Sequence, residues 1–151
     1  MKFEKIVFLM ITISICTVLI TTQLQTQDSI SVLVNNSGPY IGTAVPHDYG
    51  FDGSGIIISV IDTGVDFNHP DLLGLGLEGK IIGGYDFVDN DETPQDSNGH
   101  GTQVAGIIAA NGNLTGIAPN SKILAYRVSE DGESVSSNLI IKAIEKSISD
   151  N

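Results

Sequence analysis

Beyond residue 50 the chain alternates apolar runs with stretches of helical spacing. "GIIISVI", residues 55–61, is continuous, apolar and rich in β-branched residues. Such a run reads as a strand buried on both faces, as in a parallel sheet. "KIIGGYDF", 80–87, is a second, weaker strand, and "KILAYRV", 122–128, a third. Between them, "HGTQVAGIIAA", 100–110, has apolar side chains at 104, 107 and 108 and small residues elsewhere. That composition predicts a helix packed closely on a sheet. "SSNLIIKAIEKSI", 136–148, repeats apolar residues at 140, 141, 144 and 148, which predicts a second helix with Ser136 or Ser137 as its N-cap. "DNDETPQDSNG", 89–99, is a loop by composition, and residues 23–50 are polar with no clear period. Strands alternating with helices predict an α/β fold built on a parallel sheet, without internal repeats.

The N-terminus follows different rules. Lys2 and Lys5 precede an apolar run from Ile6 to Ile20, broken only by Thr, Ser and Cys16. A positive segment followed by a short apolar one is the pattern of a secretory signal. The run is short for a membrane span, which wants about 20 apolar residues, and no Ala-x-Ala cleavage site follows. Residues 1–22 are therefore expected to be a signal peptide or signal anchor, 23–38 a leader, and 39–151 the compact region. Membrane contact is expected only through residues 6–20, if the signal stays uncleaved. Cys16 is the single cysteine, so removal of the signal leaves neither thiol nor disulfide.

Composition narrows the partners. The 151 residues are 41% hydrophobic and 17% charged, enough for a buried core in one domain or part of one. The formal charge is −11, and without Lys2, Glu4 and Lys5 the remaining 5 basic and 17 acidic residues give −12. Phosphate binding needs clustered Lys and Arg, so no nucleic-acid partner is expected. The acidity fits solubility outside the cell, and the expected location is secreted or extracytoplasmic.

The candidate chemistry lies in "VIDTGVDFNHPDL", 60–72. Asp-Thr-Gly occurs in aspartic proteases, where two copies face each other and their carboxylates share a proton. A chain with one copy would have to work as a dimer, in an all-β fold. Here Asp62 instead falls at the carboxyl end of the best strand, where the functional groups of open α/β sheets gather. "NGHGTQVAG", 98–106, places His100 at a helix start between Gly99 and Gly101, which are expected to permit a sharp turn and leave room for substrate. An Asp that accepts the Nδ1 proton of a His fixes its tautomer and stabilises the imidazolium.

"SVIDTGVDFNHPDL" and "SNGHGTQVAGIIAA" resemble the Asp and His motifs of the subtilisin-like serine proteases. "GIAPNSKILAYRV", 116–128, is similar to the segment after the His helix in that family, and the resemblance runs from about residue 39 to the last residue. It implies a parallel-sheet subtilisin-like fold, incomplete at its C-terminal strands, a serine endopeptidase acting on polypeptides, Asp62 as the orienting carboxylate and His100 as the general base. The chain departs from the family twice. Gln103 stands where a second His is common, and no Gly-Thr-Ser-Met-Ala-type nucleophile motif is present. Ser54, Ser97, Ser129 and Ser136 lie in turns, loops or caps, and no Gly-x-Ser-x-Gly elbow occurs. The expectation is an inactive fragment of a protease, the rival a non-catalytic binding module. Residues 23–38 are too few for the folded inhibitory pro-domain usual in secreted members.

No cofactor is expected. In many subtilases the residue matching Asp71 binds calcium with help from a loop after the His helix, and here that loop, "NGNLTG", 111–116, looks shorter. Asp86, Asp89, Asp91 and Asp96 form a second acidic group that could hold calcium, though a solvated loop is the plainer reading. His69 and Asp66 match no strong zinc spacing.

Overall fold

The computed structural model describes residues 38–76 and 79–150. The expected signal and nearly all of the expected leader lie outside the described residues. The elements are α1 (Ala44–Asp48), β1 (Ile57–Asp62), a 3-10 turn (Pro70–Leu72), β2 (Ile81–Asp86), α2 (His100–Ala109), β3 (Lys122–Arg127) and α3 (Ser137–Ser149). Among the described residues the sheet is three-stranded and wholly parallel, in the order β1-β3-β2. The α/β parallel architecture expected from the apolar runs is the one observed. It leaves no place for the all-β aspartic-protease reading of Asp62-Thr63-Gly64.

Two clusters cover the two faces of the sheet. On one, Val60, Ile81, Ile123 and Ala125 pack with Ala105 and Ala109 of α2. On the other, Leu124, Tyr126 and Val128 pack with Ala143 of α3, supported by Ile61, Ile82, Tyr85, Phe87 and Leu139. β3 thus sends alternate side chains into both clusters, and from Ile123 to Arg127 every residue is buried. Among the described residues the strand buried on both faces is therefore β3, whereas β1 lies at the edge, with Ile57 and Ser59 exposed. Position in the sheet, which a local pattern does not encode, makes that difference.

α2 meets β1 through small residues: Gly101, Ala105 and Ala109 are buried, while Ile107 is exposed. In α3 the expected apolar stripe points elsewhere. Ala143 is the buried residue, and Ile141, Ile144 and Ile148 are exposed. Ser136 is the N-cap with an extended backbone, but its side chain makes no capping hydrogen bond. The far end of α3 is tied to the sheet by Tyr126, whose hydroxyl donates to Asp150 at 3.0 Å. Burial first, and then that contact, push the phenol above its ordinary pKa. α1, absent from the sequence expectation, has neither an apolar stripe nor a side-chain cap to announce it. His47 fastens it, its Nε2 lying 2.9 Å from the Ile117 carbonyl.

Candidate active site

The carboxyl ends of the three strands align Asp62, Arg127 and Asp86 in register. Arg127 could have paired with either neighbour. Its guanidinium donates to Asp86 at 2.8 Å and to Asp89 at 2.6 Å, and its side chain is 7% exposed. These bonds satisfy the carboxylates of half of the second acidic group with a protein cation. Asp91 accepts the amide of Thr93 and so closes its own turn. Among the described residues no group of three or more His, Cys, Asp or Glu is arranged to hold a metal ion.

Asp62 is left for His100. Its Oδ1 lies 2.7 Å from His100 Nδ1, and the same oxygen accepts the Thr63 amide at 2.7 Å. The imidazole is 59% exposed and the carboxylate 18% exposed. The hydrogen bond from Asp62 and then its charge raise the His100 pKa above the ordinary value, with a smaller contribution from Asp96. With Nδ1 engaged, Nε2 is the nitrogen available for a reacting group.

The helix start that presents His100 is built by Asp96. One of its oxygens accepts the amides of Asn98 and Gly99 at 2.9 Å each, together with the Thr63 hydroxyl at 2.9 Å. The other accepts the Thr102 amide at 2.9 Å and the Thr102 hydroxyl. This is the capping of free helix amides by a carboxylate, supplied from four residues before the histidine. Partial burial opposes ionisation, but the bonds from Gly99, Thr102 and Asn98 prevail and lower the Asp96 pKa. Thr63, 1% exposed, accepts the Gly101 amide at 2.9 Å and so bridges the strand end to the helix. Thr102 reaches back to accept the amide of Asp66 at 2.9 Å.

Gly99 enters the helix with φ 107°, the sharp turn expected of it. Gly101 does something other than leave room for substrate. A Cβ there would lie 2.1 Å from the Gly64 carbonyl oxygen and 3.2 Å from Asp62 Oδ1. Its bare Cα lets the helix touch the strand end and sets the distance between His100 and Asp62.

The sequence reading named Asp62 and His100 but missed Thr63, Asp96 and Thr102 as supports. By composition Asp96 reads with the acidic loop. The signal that separates it from Asp89 or Asp91 is its distance from a helix start, with a glycine between. Beside the pair lies a cavity of about 220 Å³ lined by Ile61, Asp62, Thr63, His100, Val128 and Val135, among others.

The model of the subtilase family matches residues 53–151. The chain belongs to the subtilase family. Among curated subtilases it is 41% identical over 133 residues to the minor extracellular protease Vpr of Bacillus subtilis (strain 168), which covers 82% of this chain and 16% of that protein. It is 55% identical over 87 residues to thermitase of Thermoactinomyces vulgaris, covering 55% of this chain and 29% of that protein. Among solved structures, a cold-adapted subtilisin-like serine proteinase superposes with a TM-score of 0.53 at 43% identity, over 62% of this chain and 32% of that one. The subtilase chain thus spans less than a third of the length of these relatives.

Proposed function

We propose that these residues form the Asp- and His-bearing part of a subtilisin-like serine endopeptidase that cleaves polypeptides outside the cytoplasm. The observation that carries the reading is the Asp62–His100 hydrogen bond of 2.7 Å at the end of a parallel strand, beside the cavity. In the complete reaction a serine hydroxyl attacks the peptide carbonyl. His100 Nε2 takes its proton and then delivers it to the leaving amine, while Asp62 keeps the other nitrogen protonated and offsets the imidazolium charge. The 2.9 Å bonds around Thr63 and Asp96 act before this step, by fixing where the ring stands.

These 151 residues contain no Gly-Thr-Ser-Met-Ala-type nucleophile motif, and on this reading the chain alone does not hydrolyse peptides. Loss of a triad member costs several orders of magnitude in rate. Lys2 and Lys5 ahead of the apolar run support export, as does the similarity to an extracellular protease. The test uses a fluorophosphonate probe on the 151-residue chain and on a longer form carrying a Gly-Thr-Ser motif. The short chain stays unlabelled. The longer form is labelled, and His100→Ala and Asp62→Asn each nearly abolish its hydrolysis while leaving its fold intact. Stoichiometric labelling of a serine in the short chain, or full activity of the longer form after His100→Ala, refutes the assignment.

A further inference from the structure

Asp71 occupies the position that the family resemblance suggests for calcium, and it is a buried carboxylate tied to the loop after α2. It follows Pro70 in the 3-10 turn and is 4% exposed. Its Oδ1 accepts the amide of Asn113 at 2.7 Å and its Oδ2 that of Leu114 at 3.3 Å. Its own carbonyl accepts the amide of Asn111 at 2.9 Å. The short loop after α2 therefore closes around the carboxylate with N–H groups.

Calcium requires six to eight oxygen ligands at about 2.3–2.6 Å. The loop offers the opposite polarity. Its oxygens are turned inward: the Leu114 carbonyl accepts Gly112 N at 3.1 Å, and the Ala110 carbonyl accepts Gly116 N at 2.8 Å. The approach at Gly112 is also too close for an intervening ion, since a Cβ built there would stand 2.2 Å from Asp71 Oδ1. A cation placed on that oxygen would face the Asn113 amide dipole end-on. The residues present do not fit calcium.

We propose that Asp71 is a metal-free anchor, an anion held by backbone amides, which replaces a cation in joining the 3-10 turn to the loop after α2. The carboxylate supplies the negative charge that the converging N–H groups require, in the manner of an anion at a nest of amides. Through that loop it fixes the C-terminal end of the helix whose first residue is His100.

The test melts the full chain and its Asp71→Ala variant in calcium and in EGTA, following both ellipticity and the onset of light scattering. Calcium leaves the wild-type transition unchanged. Asp71→Ala lowers it by about 4–8 °C in both buffers, as expected for a change of about one kilocalorie in a domain of this size. In a calcium titration of the wild-type chain the amide resonances of Asn113 and Leu114 do not move, and this measurement decides the matter if the variant fails to fold. A saturable rise in the transition with calcium that Asp71→Ala removes, or calcium-dependent shifts of those two amides, overturns the proposal.

Discussion

Gly101→Ala adds one methyl group where α2 touches the end of β1. The new Cβ stands 2.1 Å from the Gly64 carbonyl oxygen, and real Cβ contacts essentially never fall under 3.0 Å. The Gly64 carbonyl is backbone and cannot swing aside as a side chain would, so helix and strand must separate by about 0.9 Å to reach even that limit, the strain of an overpacked core. Because Asp62 Oδ1 lies 3.2 Å from the new Cβ, the same displacement lengthens and weakens the Asp62–His100 bond, 2.7 Å in the wild type. The Thr63 hydroxyl loses the Gly101 amide, now 2.9 Å away, by the same movement. Overpacking of this kind costs about 1–3 kcal/mol, and in a domain near 100 residues each kcal/mol lowers the transition by about 4–8 °C. Two measurements on the same sample follow. Calorimetry or circular dichroism shows a transition lowered by at least about 4 °C. NMR titration of the His100 ring shows its pKa falling toward the ordinary 6.5, because the Asp62 hydrogen bond is the largest cause of its elevation. A variant that melts with the wild type and keeps the raised His100 pKa would refute the claim that Gly101 sets the Asp–His distance.

The hydrogen bond itself can be tested apart from packing. Asp62→Asn removes the charge and reverses the preferred bonding, so the His100 pKa should fall, as read by ring-proton shifts against pH. The sign for stability follows from the raised folded value. Charged His100 favours the fold fully below its unfolded pKa near 6.5, and that contribution disappears as pH rises through the folded value. Wild type should therefore lose more stability than Asp62→Asn as pH rises across that interval, and parallel profiles would count against it. Ser59→Lys, at an exposed position of the edge strand, should raise the soluble yield of residues 23–151. An unchanged soluble yield would show that the bare edge of β1 does not limit solubility.

How much of this was legible in the sequence depended on range. Asp62 and His100 were found because each sits at a boundary written locally, one at the end of a β-branched run and the other between two glycines at a helix start. Thr63 and Asp96 were not, since a bond across 33 residues leaves no periodic trace. α3 was located correctly but its buried face was misjudged. Ile141, Ile144 and Ile148 satisfy helical spacing, yet the helix rests on Ala143 and Leu139 against the sheet. Spacing identifies an amphipathic helix, but the neighbour decides which part of its stripe is covered. The β-branched run of β1 suits a strand covered on both faces, but with its further neighbour lacking among the described residues β1 stands at the edge, as the family's strand order implies for these residues.

That order has a consequence for how the polypeptide comes to be folded. β1 and β2 are consecutive in the chain but separated in space by the third described strand, Lys122–Arg127. Neither can form a ladder with the other, so both wait, unpaired, while the 35 residues between Asp86 and Lys122 are synthesised. Pairing over such distances must meet its loop-closure cost before any contact offsets it, which makes assembly slow and leaves apolar segments open to other chains meanwhile. That third strand also carries Tyr126 and Arg127, so its arrival brings both sheet pairings, both hydrophobic clusters and the buried ion pair together. A ribosome-bound chain that ends before residue 122 would thus hold Asp62 and His100 without any sheet to bring them together.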